Sequence, residues 1–195
     1  IGRFAHTSSE ERAELLSPRR PIVLLKKKKD IQGIAPHLDE MGFMLPYTPL
    51  HYLLLEDFDL IVATSSNKKD APIMKDEEEG IDALCDYILT HDRPIHMRAD
   101  DSVVKIVDNQ PLFIRRARGY VPYPQRIPEG LLSACHILAL GGELKDTVSV
   151  YKNGYVVTSQ FLGDLDEYQN YTYFEETIRH LTQLPGLSYP EGSYA

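Results

Sequence analysis

Residues 120–130 read YVPYPQRIPEG, and this stretch decides how the rest of the chain is divided. Pro122, Pro124 and Pro128 each lack a backbone N–H, so none suits a helix interior or a central strand. The periodic patterns on either side stop here, which places a domain boundary at 126/127. Downstream, HILALGGELKDTVSVYKNGYVVTSQFLGD (136–164) reads as three strands, with turns at GGELKD and at KNG. YTYFEETIRHLTQL (171–184) follows as a helix with Phe174, Ile178 and Leu181 on one face. Three strands and a helix make a small core. The expectation is the opening of a larger α/β domain, with apolar faces such as Ile178 and Leu181 left uncovered.

Upstream of the prolines, PIVLLKK (21–27) and DLIVATSSN (59–67) are apolar runs of the buried-strand type. Ser8 or Ser9 caps a short helix to Leu16, with Glu10 and Glu11 in its first turn. Pro49 opens a second helix in LPYTPLHYLLLED. DEEEGIDALCDYILTH (76–91) fits a third, with Ile81, Leu84, Cys85, Ile88 and Leu89 at helical spacing. SVVKIVDNQPLFIRRA (102–117) reads as a hairpin around DNQ. The fold class is α/β with α+β character.

The chain has 195 residues, a formal net charge of -8, 43% hydrophobic and 26% charged residues. That is ordinary for a globular protein and unlike a general nucleic-acid binder. The 2 cysteines, Cys85 and Cys135, have no C-x-x-C spacing and suggest a reducing compartment. No apolar run is long enough for a membrane span, and IGRFAHTSSEER lacks the apolar core of a signal peptide. The first residue is Ile, so the natural start is expected upstream.

Four groups of residues have the chemistry of a binding site, each beside a plainer reading. Thr64-Ser65-Ser66-Asn67 ends an apolar run with small donors and acceptors, as a ligand edge or as a simple turn. Arg93 and Arg98 stand near Asp100, Asp101 and Ser102, as an anion site or as an ion-paired loop. Arg115, Arg116 and Arg118 are a local exception in an acidic chain, as an anion pocket or a charged edge strand. Gly141, Gly142, Lys145 and Thr147 in GGELKDT could form a phosphate-cradling turn, a weak signal taken alone. His91 and His96, five apart across a proline, make a poor ligand pair, and no metal site is expected.

Taken together, SPRRPIVLLKK, IAPHLDEMGFMLPYTPLHYLLL, TSSNKKDAPI, HDRPIHMRADDSVV, RRARGYVPYP, LALGGELKDTVSVYKNGYVVTSQFLGDLD and FEETI resemble, in order and spacing, the HypF family of hydrogenase-maturation carbamoyltransferases. The resemblance runs from about Ser8 to Leu184. It implies that residues 1–126 are the C-terminal part of a YrdC-like domain. Residues 127–195 are then the first strands and helix of a transferase domain of sugar kinase, heat-shock protein and actin type, related to the tRNA threonylcarbamoyltransferases. The activity implied is ATP-dependent activation of carbamate, derived from carbamoyl phosphate, as carbamoyl-adenylate. The carbamoyl group then passes to the C-terminal cysteine of HypE. ATP with Mg, a cytoplasmic location, no nucleic-acid partner and no membrane belong to the same expectation.

Carried over by resemblance, Tyr47, Thr48, Ser65, Asn67, Arg98, Ser102, Arg115 and Arg116 line the nucleotide and carbamoyl-adenylate site. Gly141, Gly142, Lys145 and Thr147 form the phosphate turn of the transferase domain. Ser66 stands where the family has Gly, Ala71 where it has Glu, Asp146 where it has Asn and Phe161 where it has His. The family's basic motif and its metal ligands fall outside these residues. The expectation is therefore weak nucleotide binding, no bound metal and no carbamoyl transfer by this chain alone. A threonylcarbamoyl-AMP synthase, an O-carbamoyltransferase and a non-catalytic partner-binding remnant are the alternatives.

Overall fold

A computed structural model describes residues 1–67, 71–75, 85–128 and 136–184. The chain divides into two compact units, Ile1–Ala63 with Asp101–Tyr120, and Thr64–Asp100 with Val121–Ala195.

The first unit begins with α1 (Ser9–Leu16). Ser8 caps it reciprocally: the Glu11 N–H donates to Ser8 Oγ at 3.1 Å and the Ser8 N–H donates to Glu11 Oε2 at 2.7 Å. Two of the helix's orphan donors are thereby satisfied. The PIVLLKK run becomes β1 (Ile22–Lys26), with Val23 and Leu25 fully buried. β2 (Glu40–Phe43) pairs antiparallel with it, setting Val23 opposite Phe43 and Leu25 opposite Met41. α2 (Pro49–Asp57) starts at the expected proline, with Thr48 as its cap. β3 (Val103–Val107) lies parallel to β1 on its other side, Val23 opposite Val104. β4 (Gln110–Arg115) returns antiparallel through Asp108 and Asn109, both at positive φ. That turn matches strand twist, as two-residue hairpin loops require. The sheet order is β2-β1-β3-β4.

One face of this sheet meets α1. Ala5, Leu15, Val23, Leu25, Met41, Phe43, Val104 and Tyr120 form its core. Each fully buried aliphatic side chain contributes about 1.5–3 kcal/mol. Gly119, at φ 89, lies so close to the Arg19 carbonyl oxygen that a Cβ would sit 2.7 Å from it. Only glycine fits both the backbone angle and that approach.

The second unit holds a four-stranded antiparallel sheet, ordered β5-β8-β7-β6. Its strands are β5 (Gln125–Arg126), β6 (Ile137–Leu140), β7 (Val148–Lys152) and β8 (Tyr155–Thr158). Asn153 and Gly154, both at positive φ, make the β7–β8 turn. α3 (Tyr168–Gln183) packs on the sheet through Tyr173 and Leu181, against Val148, Val150, Val157 and Leu162. Because β5 pairs with β8, Gln125 and Arg126 travel with the second unit.

Several expectations are corrected here. DLIVATSSN forms no strand: residues 60–65 are in no ladder, and Leu60, Ile61 and Val62 are 42%, 42% and 63% exposed. Residues 85–91 of the third expected helix are not helical, and Tyr87 and Leu89 are exposed. Residues 76–84, with Ile81 and Leu84, lie outside the described residues. Leu181 is buried and Ile178 packs on its cluster, so that face of α3 is covered, contrary to expectation.

Candidate functional site

In the first unit, the end of β4 turns back over the start of β3 and places three arginines in different roles. Arg118 is fully engaged. Its Nε pairs with Asp101 Oδ1 at 2.6 Å, and Nη1 and Nη2 donate to the carbonyls of Arg19 and Arg20 at 3.0 and 2.8 Å. Its guanidinium lies 3.6 Å from the centroid of the Tyr47 ring. The Tyr47 hydroxyl faces Asp101 Oδ1 at 3.5 Å, and burial followed by the Asp101 charge raises its phenol above the usual tyrosine range. The ring also meets His51 edge-on at 4.6 Å. Arg118 is thus a structural rivet: charge, fork and face are all used.

Ser102 is buried beside it. Its hydroxyl accepts from the Ala117 N–H at 2.7 Å and donates to the Arg118 carbonyl at 2.9 Å, tying the two strand ends together. Thr48 Oγ1 accepts from the His51 N–H at 3.2 Å as the cap of α2. Arg115 Nε donates to the Asp101 carbonyl at 2.8 Å. Arg116 differs from the other arginines. Its Nη2 donates to the Tyr120 carbonyl at 2.8 Å, but its Nη1 is buried with no hydrogen-bond partner among the described residues. Burial lowers its pKa from the ordinary arginine value without discharging it at neutral pH. A buried cationic N–H without an acceptor is costly, and an anion's oxygen would satisfy it.

The second unit holds Ser65, Asn67 and Arg98. Asn67 Nδ2 donates to the Ala71 carbonyl at 3.0 Å, and the Met74 N–H donates to the Ser66 carbonyl at 2.8 Å. Ser65 is exposed. Ser66 has no positive φ, so the serine in place of glycine meets no backbone strain. Arg98 donates from Nε to the Ile73 carbonyl at 2.8 Å and pairs with Glu176 of α3 at 3.4 Å. Its guanidinium lies over the Tyr173 ring at 5.1 Å, while its carbonyl accepts from the Tyr173 hydroxyl at 3.2 Å and from the Gln160 amide. His96 and His180 meet edge-on at 5.3 Å, and burial followed by the His96 charge lowers the His180 imidazole below its ordinary value.

In the same unit, Gly141, Gly142, Lys145 and Thr147 lie in the connection from β6 to β7. Gly142 is open on the side a Cβ would take, and Lys145 adopts φ 55. Asp146, which stands where the family has Asn, is 1% exposed. Burial raises its carboxyl above the usual carboxylate range, against the backbone N–H groups of Thr147 and Gly141, which lower it.

Asp101 and Arg118 stood in two separate candidate groups and not among the residues carried over to the site, yet they are the pair that organises it. Their adjacency comes from the bridge between Asp101 and Arg118 beyond the β3–β4 hairpin, a register that the letters RRARGY do not encode. Among the described residues no group of three His, Cys, Asp or Glu side chains converges to hold a metal ion. No described helix is long and apolar enough to cross a membrane.

The first unit, a mixed sheet with an arginine-lined strand end, has the architecture of one broad class. The Sua5/YciO/YrdC family model, described as Telomere recombination, matches residues 1–117. The model of the HypF Kae1-like domain matches residues 133–191. The chain is 45% identical over 181 residues to the carbamoyltransferase HypF of Synechocystis sp., covering 89% of this chain and 23% of that protein. It is 36% identical over 188 residues to the probable carbamoyltransferase HypF of Methanocaldococcus jannaschii, covering 93% and 24%. Among solved structures, full-length HypF in its phosphate- and nucleotide-bound form matches with a TM-score of 0.88 at 43% identity, over 94% of this chain and 30% of that one. HypF of T. kodakarensis matches with a TM-score of 0.84 at 40% identity, over 92% and 24%. The chain belongs to the HypF family, with a YrdC-like part followed by a Kae1-like part. It spans about a quarter of the length of the curated relatives it matches.

Proposed function

We propose that this chain supplies nucleotide-contacting residues to a HypF-type carbamoyltransferase, and that Arg116 is the anion contact of its YrdC-like part. The observation that carries this is the buried Nη1 of Arg116, a cationic donor with no acceptor among the described residues. Arg118 cannot take that role without abandoning Asp101 and two carbonyls. Tyr47, Thr48, Ser102 and Arg115 shape the surroundings. Ser65, Asn67 and Arg98, taken by themselves in the second unit, are proposed as nucleotide and carbamoyl-adenylate contacts. Gly141, Gly142, Lys145 and Thr147 are proposed to meet phosphate in the Kae1-like part. The matches at 1–117 and 133–191 support division of the chain at about residue 126.

The reaction proposed for the whole protein is the family's. Carbamate released from carbamoyl phosphate attacks the α-phosphorus of ATP, and pyrophosphate leaves. The C-terminal thiolate of HypE then takes the carbamoyl group and AMP departs. Arginine contacts favour such steps by stabilising charge that develops on phosphoryl oxygens. ATP as its magnesium complex and a cytoplasmic setting complete the proposal. A half-built site lacks the orientation that this chemistry requires. This chain alone is therefore expected to bind ATP weakly and to catalyse no carbamate-dependent ATP–pyrophosphate exchange, beside an intact HypF that does. Calorimetric titration with ATP and magnesium tests the site: Arg116→Ala should weaken binding about tenfold, the worth of one charge-assisted hydrogen bond. Unchanged affinity in that variant removes Arg116 from the site. Submicromolar affinity of the native chain, or exchange activity from it, overturns the incomplete-site reading.

A further inference from the structure

The connection from β6 to β7 is zipped against residues 162–165. The Asp146 N–H donates to the Gly163 carbonyl at 2.9 Å, the Leu162 N–H to the Asp146 carbonyl at 3.0 Å and the Leu165 N–H to the Glu143 carbonyl at 2.9 Å. Within this connection Lys145 is left-handed, and its N–H donates in an exposed hydrogen bond. Backbone N–H groups turned this way form a concavity suited to an anion. Here the anion is the chain's own: Asp164 Oδ1 accepts from the Lys145 N–H at 2.8 Å. Asp164 is held in place from behind, since its carbonyl accepts from Nδ2 of the buried Asn170 on α3 at 2.7 Å. Asn170 also closes over Gly163, which sits at φ 93.

A second carboxylate stands on the inner side. Asp146 is buried, and its carboxylate looks toward the backbone N–H groups of Gly141 and Thr147. Neither oxygen completes a hydrogen bond of ordinary geometry with a described residue. A Cβ at Gly141 would collide with Oδ1 of this group. The backbone donors of the turn therefore already face carboxylates, one exposed and one buried.

We propose that Asp164 and Asp146 act as internal stand-ins for phosphate at this turn, so that a phosphoryl group binds only by displacing the Asp164 carboxylate from the Lys145 N–H. The inference rests on the phosphate role proposed above for Gly141, Gly142, Lys145 and Thr147. The ligand class is a phosphate monoester or polyphosphate, whose several oxygens can take the Lys145 N–H and its ammonium together. Asp164 is the movable member, because its bond to Lys145 is solvent-exposed. Asp146, being buried, stays in place.

The test uses the whole chain and inorganic phosphate as the probe, followed by the amide resonance of Lys145. Asp164→Ala removes the stand-in while leaving the backbone carbonyl that Asn170 holds. Phosphate affinity should rise at least about tenfold, the worth of one released charge-assisted hydrogen bond, with the Lys145 amide shifting on titration. Should that amide shift equally in the native chain and the variant, at equal affinity, the turn binds phosphate but the stand-in is wrong. Should it shift in neither, the phosphate role of the turn fails and the inference with it. Asp164→Asn, which keeps the shape and removes only the charge, is read by the same criteria if the alanine variant does not fold.

Discussion

Asp146 is an acid in a place that disfavours its charge. Burial raises its carboxyl above the ordinary carboxylate range, so the folded state holds its proton to higher pH than the unfolded state. A raised acid pKa means that stability falls as pH climbs from the unfolded value through the folded one. Asp146→Asn should therefore stabilise the chain by about 1 kcal/mol at neutral pH, the scale of relieving one poorly satisfied buried group. The gain should shrink in acid, where the native carboxyl is protonated. Denaturant melts of both proteins across pH check this, and a constant difference at every pH contradicts it. Arg118 poses the opposite case, a charge satisfied on every side. Arg118→Lys keeps the charge but cannot span Asp101, two carbonyls and the Tyr47 ring, so a loss of about 2 kcal/mol is expected by urea denaturation. Full stability of the lysine variant would mean that charge alone matters there.

Local elements follow the sequence where a single rule governs them. Ser8 with Glu11 encodes the start of α1, and Ser8→Ala should cost about 1 kcal/mol, measurable as a lowered urea midpoint. DNQ and KNG encode the hairpins β3–β4 and β7–β8, because positive φ at the turn selects Asp, Asn and Gly. The failures have one physical origin. LIVA at 60–63 has the letters of a buried strand, but a strand exists only by pairing, and these residues find no ladder. β2 was illegible for the converse reason. EMGF has little strand character, and its position opposite Val23 and Leu25 makes it one. The site shows the same division. RRARGY announces arginines, but which of them is neutralised and which is left with an open donor depends on where Asp101 and the carbonyls of Arg19 and Arg20 lie.

Over the molecule as a whole, apolar surface is spread unevenly. α2 buries none of its side chains, and Leu53 and Phe58 on or beside it are exposed along with the 60–62 run. Exposed apolar side chains so close together in the chain are candidates for a surface that associates. Leu53→Lys together with Val62→Lys should reduce concentration-dependent association, followed by light scattering, without lowering the melting temperature. Unchanged association would place the sticky surface elsewhere. The tight β7–β8 turn has a different consequence, a chemical clock. Asn153 is exposed and is followed by Gly154, whose unhindered amide nitrogen can attack the neighbouring carboxamide and expel ammonia. Hydrolysis of the resulting ring inserts an extra backbone carbon through isoaspartate. A two-residue loop cannot absorb that carbon without shifting the pairing of Lys152 with Tyr155. Stored protein should accordingly age first at this peptide, detectable by mapping, and the second sheet should loosen as it does.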